Sequence, residues 1–195
     1  MTERWLADPE SIEKAASRLR QGAVIAFPTD TLYAMAARAA DREAVRRLYA
    51  IKRRPLAQPL VLLVRGEEDF AQLAQVSERA RDLIRRFWPG PLTLVLPSRS
   101  GEGATVAGRA PDHPVALALL RALGEPIASS SANRANEPPP SDAEAVITGL
   151  GQDLDLVLDG GPCRLAQPST ILDLSGIEPK ILRAGAIPET ELQLR

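Results

Sequence analysis

The spacing of apolar and polar residues along the chain predicts helices that alternate with strands. After Asp8-Pro9, a typical helix N-cap and first helical residue, small and apolar side chains recur at helical spacing as far as Leu19. Apolar runs of strand length follow, bounded by Gly, Pro or polar turn residues. The further predicted helices cover 41–51, 67–75, 77–87, 114–123, a capping box at 141–144 and a short last helix from Pro188. The predicted strands cover 23–27, 59–64, 92–96, 105–109, 127–131, 154–158, 169–174 and 180–183.

The order of these elements indicates the class of fold. Strands interleave with helices over most of the chain, but several strands cluster near its end, which favours a mixed sheet over a uniform βαβ winding. A length of 195 residues suits one domain with a sizeable core. We therefore predict an α/β (α+β) fold, with a single domain over residues 1–195 and a mixed β-sheet flanked by helices.

Composition and charge exclude several classes of protein. The formal net charge of -1 gives no bulk attraction for a polyanion, so any nucleic-acid contact must be a local patch. The single cysteine, Cys163, and the single histidine, His113, exclude a disulfide framework and a Cys/His zinc site within one chain. The sequence contains no Walker A, G-x-G-x-x-G or G-x-S-x-G motif. The first residues do not read as a secretory signal and no apolar stretch approaches the length of a membrane span, so we expect a cytoplasmic protein without membrane contact.

The stretch Lys52-Arg53-Arg54-Pro55 places three successive cations between a predicted helix and a predicted strand. Pro55 restricts its own φ and favours an extended conformation at Arg54. This predicts a rigid cationic loop at the mouth of the sheet, where Lys and Arg can neutralise phosphate. The alternative is a solvated basic loop without a ligand.

The arginines of the preceding helix allow a second interpretation of the same region. Arg42, Arg46 and Arg47, together with Arg53, could form a basic stripe for RNA. We favour a solvated helix face, since cations are stabilised near a helix C-terminus.

Hydroxyl, amide and cationic side chains recur where predicted strands end. They occur at Thr29 and Thr31, over 129–133, and at 169–170. Side chains at the strand ends of an α/β sheet converge on one crevice, although any single hydroxyl more often serves as a turn or cap. No activated nucleophile is visible, so this pattern predicts binding and electrostatic alignment rather than covalent catalysis.

A series of short motifs then occurs in a specific order: Pro28-Thr-Asp-Thr31, Lys52-x-Arg54-Pro55 before Pro59-Leu60, Phe87-Trp-Pro-Gly-Pro-Leu-Thr93, Arg109 with His113-Pro114, Ser131-Ala-Asn133, Asp159-Gly-Gly-Pro162, Ser169-Thr170 and Ile181-Leu-Arg183-x-Gly185. Together they resemble the YrdC-like threonylcarbamoyl-AMP synthases of tRNA modification, in their short, single-domain form. The resemblance runs from about residue 10 to residue 190. Each motif is modest, but the ordered set is highly specific.

This resemblance implies a twisted mixed sheet with a concave basic cavity, and a nucleotidyltransferase that joins L-threonine, bicarbonate and ATP into threonylcarbamoyl-AMP and pyrophosphate. Mg²⁺ would accompany ATP, and the product would serve tRNA modification through transient contact with tRNA and with a transferase complex. Four residues are implied in catalysis and in ATP binding: Lys52, Arg54, Ser131 and Asn133. Further implied ATP contacts are Gln58, Thr105, Pro139 and Arg183. The residues implied to surround threonine are Thr31, Arg109, Ser129 and Ser169.

The sequence also departs from the family pattern. Ala34 and Ala36 replace the glycines of a Gly-Leu-Gly, Asn136 and Ala166 replace further glycines, and Leu63 stands where many long-form members carry histidine. The altered glycines favour an alternative, an RNA-binding or regulatory paralogue that keeps the fold without turnover. The intact Lys-x-Arg and Ser-x-Asn pairs favour the synthase.

Overall fold

The computed structural model of the protein describes residues 2–56, 58–101 and 103–194, in which one mixed sheet is flanked by helices. The helices in these residues are α1 Pro9–Arg20, α2 Arg42–Lys52, α3 Glu67–Ala71, α4 Glu78–Phe87, α5 Pro114–Leu123, α6 Ala143–Leu150 and α7 Glu189–Leu192. The strands are β1 Glu3–Leu6, β2 Ile25–Phe27, β3 Ala34–Arg38, β4 Val61–Leu63, β5 Leu92–Pro97, β6 Thr105–Arg109, β7 Ile127–Ser131, β8 Leu156–Asp159, β9 Thr170–Asp173 and β10 Lys180–Arg183.

The strands of the described residues follow the order β1-β8-β2-β3-β7-β4-β6-β5-β9-β10 across the sheet. The pairs β1–β8, β2–β8, β4–β6 and β5–β9 are parallel. The pairs β2–β3, β3–β7, β4–β7, β5–β6 and β9–β10 are antiparallel. The sheet is therefore mixed, which confirms the predicted class of fold.

Alternation along the strands separates the cores from the site. In β2, Ile25 and Phe27 pack against α1 and α5, whereas Ala26 packs on the opposite face with α2 and α6. In β5, Leu92 and Leu94 pack in a third core with α3, α4 and α7, so Thr93 faces the other side of the sheet. The cavity described below opens on the face of the sheet that carries the side chain of Thr93.

Helix ends follow the local capping chemistry that the sequence predicted. The carboxylate of Asp8 accepts from the N–H of Ser11, with Pro9 as the first residue of α1. α5 begins at Pro114 and ends before Gly124, whose φ of 81° is readily adopted by glycine. The predicted capping box was shifted by one residue, because Asp142 rather than Ser141 caps α6 through the N–H of Ala145.

The sequence interpretation missed two strands and overextended one helix. β3 is rich in alanine, which is depleted in strands, yet it is buried between β2 and β7. β1 is a four-residue edge strand with little apolar alternation. α3 ends at Ala71 instead of continuing to 75, because Ala74 forms an antiparallel bridge with Ser98. No helix in the described ranges is long and apolar enough to cross a membrane.

Candidate functional site

A cavity of about 810 Å³ opens on the face of the sheet that carries β4, β5, β6 and β7. This volume is in the range of small-molecule and cofactor sites. Ten of the twelve sequence-predicted site residues line it: Thr31, Lys52, Arg54, Gln58, Arg109, Ser129, Ser131, Pro139, Ser169 and Arg183. The predicted basic cavity is therefore present.

Two predicted site residues, Asn133 and Thr105, lie outside the lining. Asn133 is buried beneath the cavity, where its Oδ1 lies 2.7 Å from the Nζ of Lys52, so it supports a lining residue. Its amide nitrogen donates to the carbonyl oxygens of Arg134 and Glu137, which fixes the side chain. Thr105 is exposed at the start of β6, whose residues Ala107 and Arg109 do reach the cavity.

Lys52 is the last residue of α2, which corrects the prediction that it belongs to a loop. Its Nζ donates to the carbonyl oxygen of Ser131 at 2.8 Å, to Ser131 Oγ at 3.0 Å and to Asn133 Oδ1 at 2.7 Å. All three N–H groups of the ammonium thus have protein acceptors. Burial, reinforced by the charges of Arg54 and Arg183, lowers the pKa of Lys52 from 10.5 to about 8.

The loop after α2 turns immediately, and Arg54 lies beyond the turn. Arg53 adopts a left-handed conformation with φ 53° and lines the cavity. Arg54 donates from Nη2 to the carbonyl of Pro59 at 3.1 Å. Its Nε is buried and has no hydrogen-bond partner among the described residues, which is costly unless a ligand accepts from it.

Arg109 is anchored by the protein at the base of the cavity. Its Nε donates to the carbonyl of Gly90 at 3.0 Å, its Nη1 donates to Thr31 Oγ1 at 2.7 Å, and its Nη2 pairs with the buried carboxylate of Asp30. Burial lowers the pKa of Arg109 and Asp30 opposes this effect. Three of the five guanidinium N–H groups are used, which leaves one on each Nη for a ligand.

Ser169 and Arg183 meet in another part of the cavity lining. Arg183 donates to the carbonyl oxygen and to the Oγ of Ser169 at 2.8–3.0 Å. Ser169 Oγ also lies 2.8 Å from the Oγ1 of the buried Thr93. Gly185 allows this loop to close, because a Cβ there would lie 2.4 Å from the backbone of Pro168 and of Ser169.

The charges of the cavity are strongly unbalanced. No carboxylate occurs among the described lining residues, and no ion pair of the described residues involves Lys52, Arg53, Arg54 or Arg183. Arg109 differs, since Asp30 compensates its charge. A chain of net charge -1 therefore concentrates positive charge at one cavity, which favours an anionic ligand.

The described residues do not offer a protein ligand set for Mg²⁺. They contain no group of three or more His, Cys, Asp or Glu side chains that could hold a metal ion. Hard cations prefer oxygen ligands, and Mg²⁺ is commonly held by one or two carboxylates plus substrate phosphates. The chemistry of this cavity provides hydroxyls and cations but no carboxylate ligand.

The arginines of α2 are exposed, in agreement with the predicted solvated face, but they make different contacts. Arg46 pairs with Glu43 at the surface, in agreement with that interpretation. Arg47 instead makes a bidentate ion pair with Asp155, whose carboxylate also accepts from the N–H of Val24. The side chain of Arg47 is 43% exposed, in agreement with the predicted solvated face, and its ion pair joins α2 to the segment before β8.

Three features of the site escaped the sequence interpretation or were left without a role. Thr93 was named only as part of a motif. The alternation with Leu92, Leu94 and Leu96 nevertheless indicates that its side chain lies on the face of β5 opposite to these leucines. Asp30 was named only within the Pro28-Thr-Asp-Thr31 motif, and nothing local in the sequence indicates its pairing with Arg109. The exposed Leu182 lies at the rim of the cavity.

The substituted glycine positions fall into two groups. Ala34 and Ala36 lie in β3 and pair regularly with β2 and β7, without a positive φ. Asn136 and Ala166 have φ values of 68° and 50°, the region that glycine adopts most easily. Asparagine tolerates this conformation better than other non-glycine residues, whereas Ala166 carries a backbone cost.

Comparisons with known structures define the class to which this sheet and cavity belong. The crystal structure of Pyrococcus abyssi Sua5 complexed with L-threonine superposes with a TM-score of 0.91 at 38% identity, covering 98% of this chain and 59% of that chain. The crystal structure of Escherichia coli YciO superposes with a TM-score of 0.89 at 28% identity, covering 96% and 98%. The architecture is therefore that of the Sua5 and YciO proteins.

Sequence comparison identifies the family. The family model Sua5_yciO_yrdC, described as "Telomere recombination", matches residues 17–185, and the chain belongs to this family. It is 38% identical to the threonylcarbamoyl-AMP synthase of Bacillus subtilis, over 98% of this chain and 60% of that protein. It is 40% identical to a putative threonylcarbamoyl-AMP synthase of Mycobacterium tuberculosis, over 96% and 92%. The chain thus spans about 60% of the length of the B. subtilis relative and most of the mycobacterial one.

Proposed function

We propose that the protein is a threonylcarbamoyl-AMP synthase, which condenses L-threonine, bicarbonate and ATP to threonylcarbamoyl-AMP and pyrophosphate. The observation that carries this proposal is the juxtaposition of uncompensated cations with a hydroxyl-lined wall in one cavity. The names of the similar proteins and the threonine complex of P. abyssi Sua5 support it. Residues 1–195 would act as a single domain, since β1 and β10 belong to the same sheet.

In this proposal the cations hold the triphosphate of ATP. Arg54 would donate to a phosphate oxygen from its unpartnered Nε. Lys52 would act through its charge, since its N–H groups are already occupied, and through Ser131, which it orients. With Lys52 donating to its oxygen, Ser131 keeps its own proton for the nucleotide.

The same proposal gives the remaining predicted nucleotide contacts specific roles. Arg183 would complete the cationic wall, while Gln58 and Pro139 lie at the exposed part of the cavity lining. Asn133 would act indirectly by holding Lys52. Thr105 remains a predicted nucleotide contact, outside the lining.

L-Threonine would bind at the Arg109 end of the cavity. The free N–H on each Nη of Arg109 suits the two oxygens of an amino-acid carboxylate. Thr31 and Ser169 would contact the side-chain hydroxyl, with Ser129 beside them in the lining. A substrate without that hydroxyl would leave these polar groups unpaired, which is the basis for rejecting it.

The chemistry then needs alignment rather than a nucleophilic side chain. The amine of threonine and bicarbonate form a carbamate with loss of water; a carbamate oxygen attacks the α-phosphorus of ATP, and pyrophosphate leaves. Positive charge from Lys52, Arg54 and Arg183 would stabilise the leaving group. Mg²⁺ would enter with ATP as part of the substrate, because the described residues provide no carboxylate set for it.

A pyrophosphate-release assay with ATP, bicarbonate and L-threonine tests the proposal, with mass spectrometry of the adenylate product. We expect release that requires all three substrates. In competition we expect threonine to be used best, serine about tenfold less well for one lost methyl, and valine hardly at all. Valine turnover equal to that of threonine would refute the threonine assignment, and no release with any amino acid would refute the synthase.

The alternative of an RNA-binding or regulatory paralogue loses its main support in this geometry. Ala34 and Ala36, which suggested a damaged site, lie in a regular strand and leave the cavity open. Contact with tRNA and with a transferase that accepts the product remains part of the proposal, as a transient encounter.

A further inference from the structure

The residue that follows α2 has a backbone conformation that usually belongs to glycine. The N–H of Arg53 donates to the carbonyl of Ala50 at 3.0 Å, and the N–H of Arg54 donates to the carbonyl of Tyr49 at 3.2 Å. These two bonds are those of a Schellman motif, in which the first residue beyond the helix is left-handed and most often glycine. Arg53 has φ 53° and ψ 46°, so in this protein an arginine occupies that position.

The helix alone does not account for an arginine at this position. A left-handed conformation is unfavourable for a residue with a Cβ, and glycine avoids this cost. A cation is stabilised near a helix C-terminus, but Lys52 already provides one in the last turn of α2. Residues held in unfavourable backbone conformations are concentrated at ligand-binding sites. The side chain of Arg53 is therefore a candidate for a role in the neighbouring cavity.

Arg53 lines the cavity and is exposed there, whereas Lys52 is buried and Arg54 is half-buried. Lys52 donates to three protein oxygens, and Arg54 donates to the carbonyl of Pro59. For the guanidinium of Arg53, the described residues supply neither an ion pair nor a hydrogen bond. Its five N–H groups are thus available to a ligand in the cavity.

We propose that Arg53 is a further nucleotide-binding residue of this site, and that its side chain contacts the β- and γ-phosphates of ATP, which leave as pyrophosphate. This inference rests on the proposed function and deepens it. The α-phosphorus must meet the carbamate formed beside Arg109 at the base of the cavity. The β- and γ-phosphates then lie farther from the base, where an exposed guanidinium can bind them with paired hydrogen bonds.

The position of Arg53 also separates it from the basic stripe that the sequence allowed. Arg46 and Arg47 lie outside the cavity lining and form ion pairs with Glu43 and Asp155. Arg53 belongs to the lining and has no such partner among the described residues. Its charge is therefore directed to the ligand of the cavity and not to an RNA along α2.

Isothermal titration calorimetry of Arg53→Ala with ATP, inorganic pyrophosphate and L-threonine tests this inference. We expect the affinities for ATP and for pyrophosphate to fall by about tenfold, the size of one charge-assisted contact. The affinity for L-threonine should be unchanged, because Arg109 is intact. Arg121→Ala is the matched control, since it also removes an exposed cation from the last turn of a helix, α5, but lies outside the cavity. It should bind all three ligands as the wild type does.

A second variant, Arg53→Gly, separates the side chain from the backbone. It removes the same charge as Arg53→Ala, so both variants should lose the same affinity for ATP. Glycine adopts φ 53° freely and alanine does not, so the glycine variant should unfold about 2–3 °C above the alanine variant. Inside a helix the order of these two residues is the reverse. A lower unfolding temperature for the glycine variant would contradict the left-handed conformation on which the inference depends.

The binding results distinguish failure of this inference from failure of the proposed function. If the wild-type protein does not bind ATP, both fail. If it binds ATP and Arg53→Ala binds ATP equally well, this inference alone fails. A loss of affinity for ATP without a loss for pyrophosphate would place Arg53 at the nucleoside and refute its contact with the terminal phosphates. Equal losses in Arg53→Ala and Arg121→Ala would show an effect of overall charge and would also refute the contact.

Discussion

The Nζ of Lys52 lies 2.7 Å from the Oδ1 of Asn133, at the junction between the end of α2 and the turn that follows β7. This contact connects the motif Lys52-x-Arg54-Pro55 to the motif Ser131-Ala-Asn133. The N–H of Ala135 also donates to the carbonyl of Lys52 at 2.8 Å, so backbone and side chain hold the same junction. The lysine is consequently fixed, while its burial and the charges of Arg54 and Arg183 lower its pKa.

The lowered pKa of Lys52 predicts how stability depends on pH. Between about 8 and the ordinary value of 10.5, the unfolded chain binds a proton at this lysine that the folded protein does not. The free energy of unfolding should therefore gain from Lys52 as pH rises through this window, and lose that contribution as pH falls toward 8. Urea unfolding at pH 7.5, 9 and 10 measures this contribution.

Lys52→Met is the matched variant. Other groups titrate in the same pH range, but they are present in both proteins, so their contributions cancel in the comparison. The difference in unfolding free energy between wild type and variant should shift in favour of the wild type as pH rises. A constant difference across these pH values would contradict the lowered pKa.

Arg54 is predicted to stabilise charge on the triphosphate. We expect Arg54→Ala to lower turnover by about 10²-fold, because the site loses a positioned donor and a positive charge. Arg46→Ala is the control, since Arg46 forms only a surface pair with Glu43 and lies outside the cavity. Steady-state pyrophosphate release measures both. Equal losses in the two variants would indicate a diffuse basic patch rather than a localised phosphate site.

Most helices and strands could be predicted because their signals are local. α5 follows from Pro114, an apolar face and Gly124, and β7 and β10 follow from short runs between turn residues. β3 could not be predicted in this way. Its alanines have weak strand preference, and its conformation depends on pairing with β2 and β7, which are distant in sequence.

The resemblance named residues that mostly line one cavity, but the partners of these residues required coordinates. No local pattern relates Asp30 to Arg109, or Thr93 to Ser169, since these contacts join residues 79 and 76 positions apart.

The pair between Asp30 and Arg109 predicts a large effect of one neutral substitution. Asp30→Asn would leave the buried guanidinium without its counter-charge, which typically costs about 3–5 kcal/mol. Asp30 Oδ2 has no partner among the described residues, so an amide nitrogen placed there would also lack an acceptor. Chemical unfolding measures the loss.

Asp82→Asn provides the comparison for this substitution, because Asp82 forms an exposed pair with Arg85 at 3.6 Å. Such surface pairs contribute about 0–1 kcal/mol, so little change is expected. Similar stability of the two variants would show that the charge of Asp30 is not needed to hold Arg109.

Ala166 offers the opposite case, in which a substitution should stabilise the protein. Its φ of 50° lies in the left-handed region, which costs a non-glycine residue about 1–2 kcal/mol, whereas glycine adopts it freely.

Ala166→Gly removes that cost, but glycine also makes the unfolded chain more flexible, which lowers stability by about 0.4–1 kcal/mol. We therefore expect the free energy of unfolding, measured with urea, to rise by about 0.5–1 kcal/mol. The same change at Ala50, an exposed position inside α2, should instead cost about 1 kcal/mol. The two substitutions should change the free energy of unfolding in opposite directions, because only Ala166 has a left-handed conformation. A loss of stability in both variants would contradict that conformation at Ala166. The neighbouring Leu165 N–H donates to the carbonyl of Asp30 at 2.9 Å, so a gain at residue 166 would stabilise the segment that holds the base of the cavity.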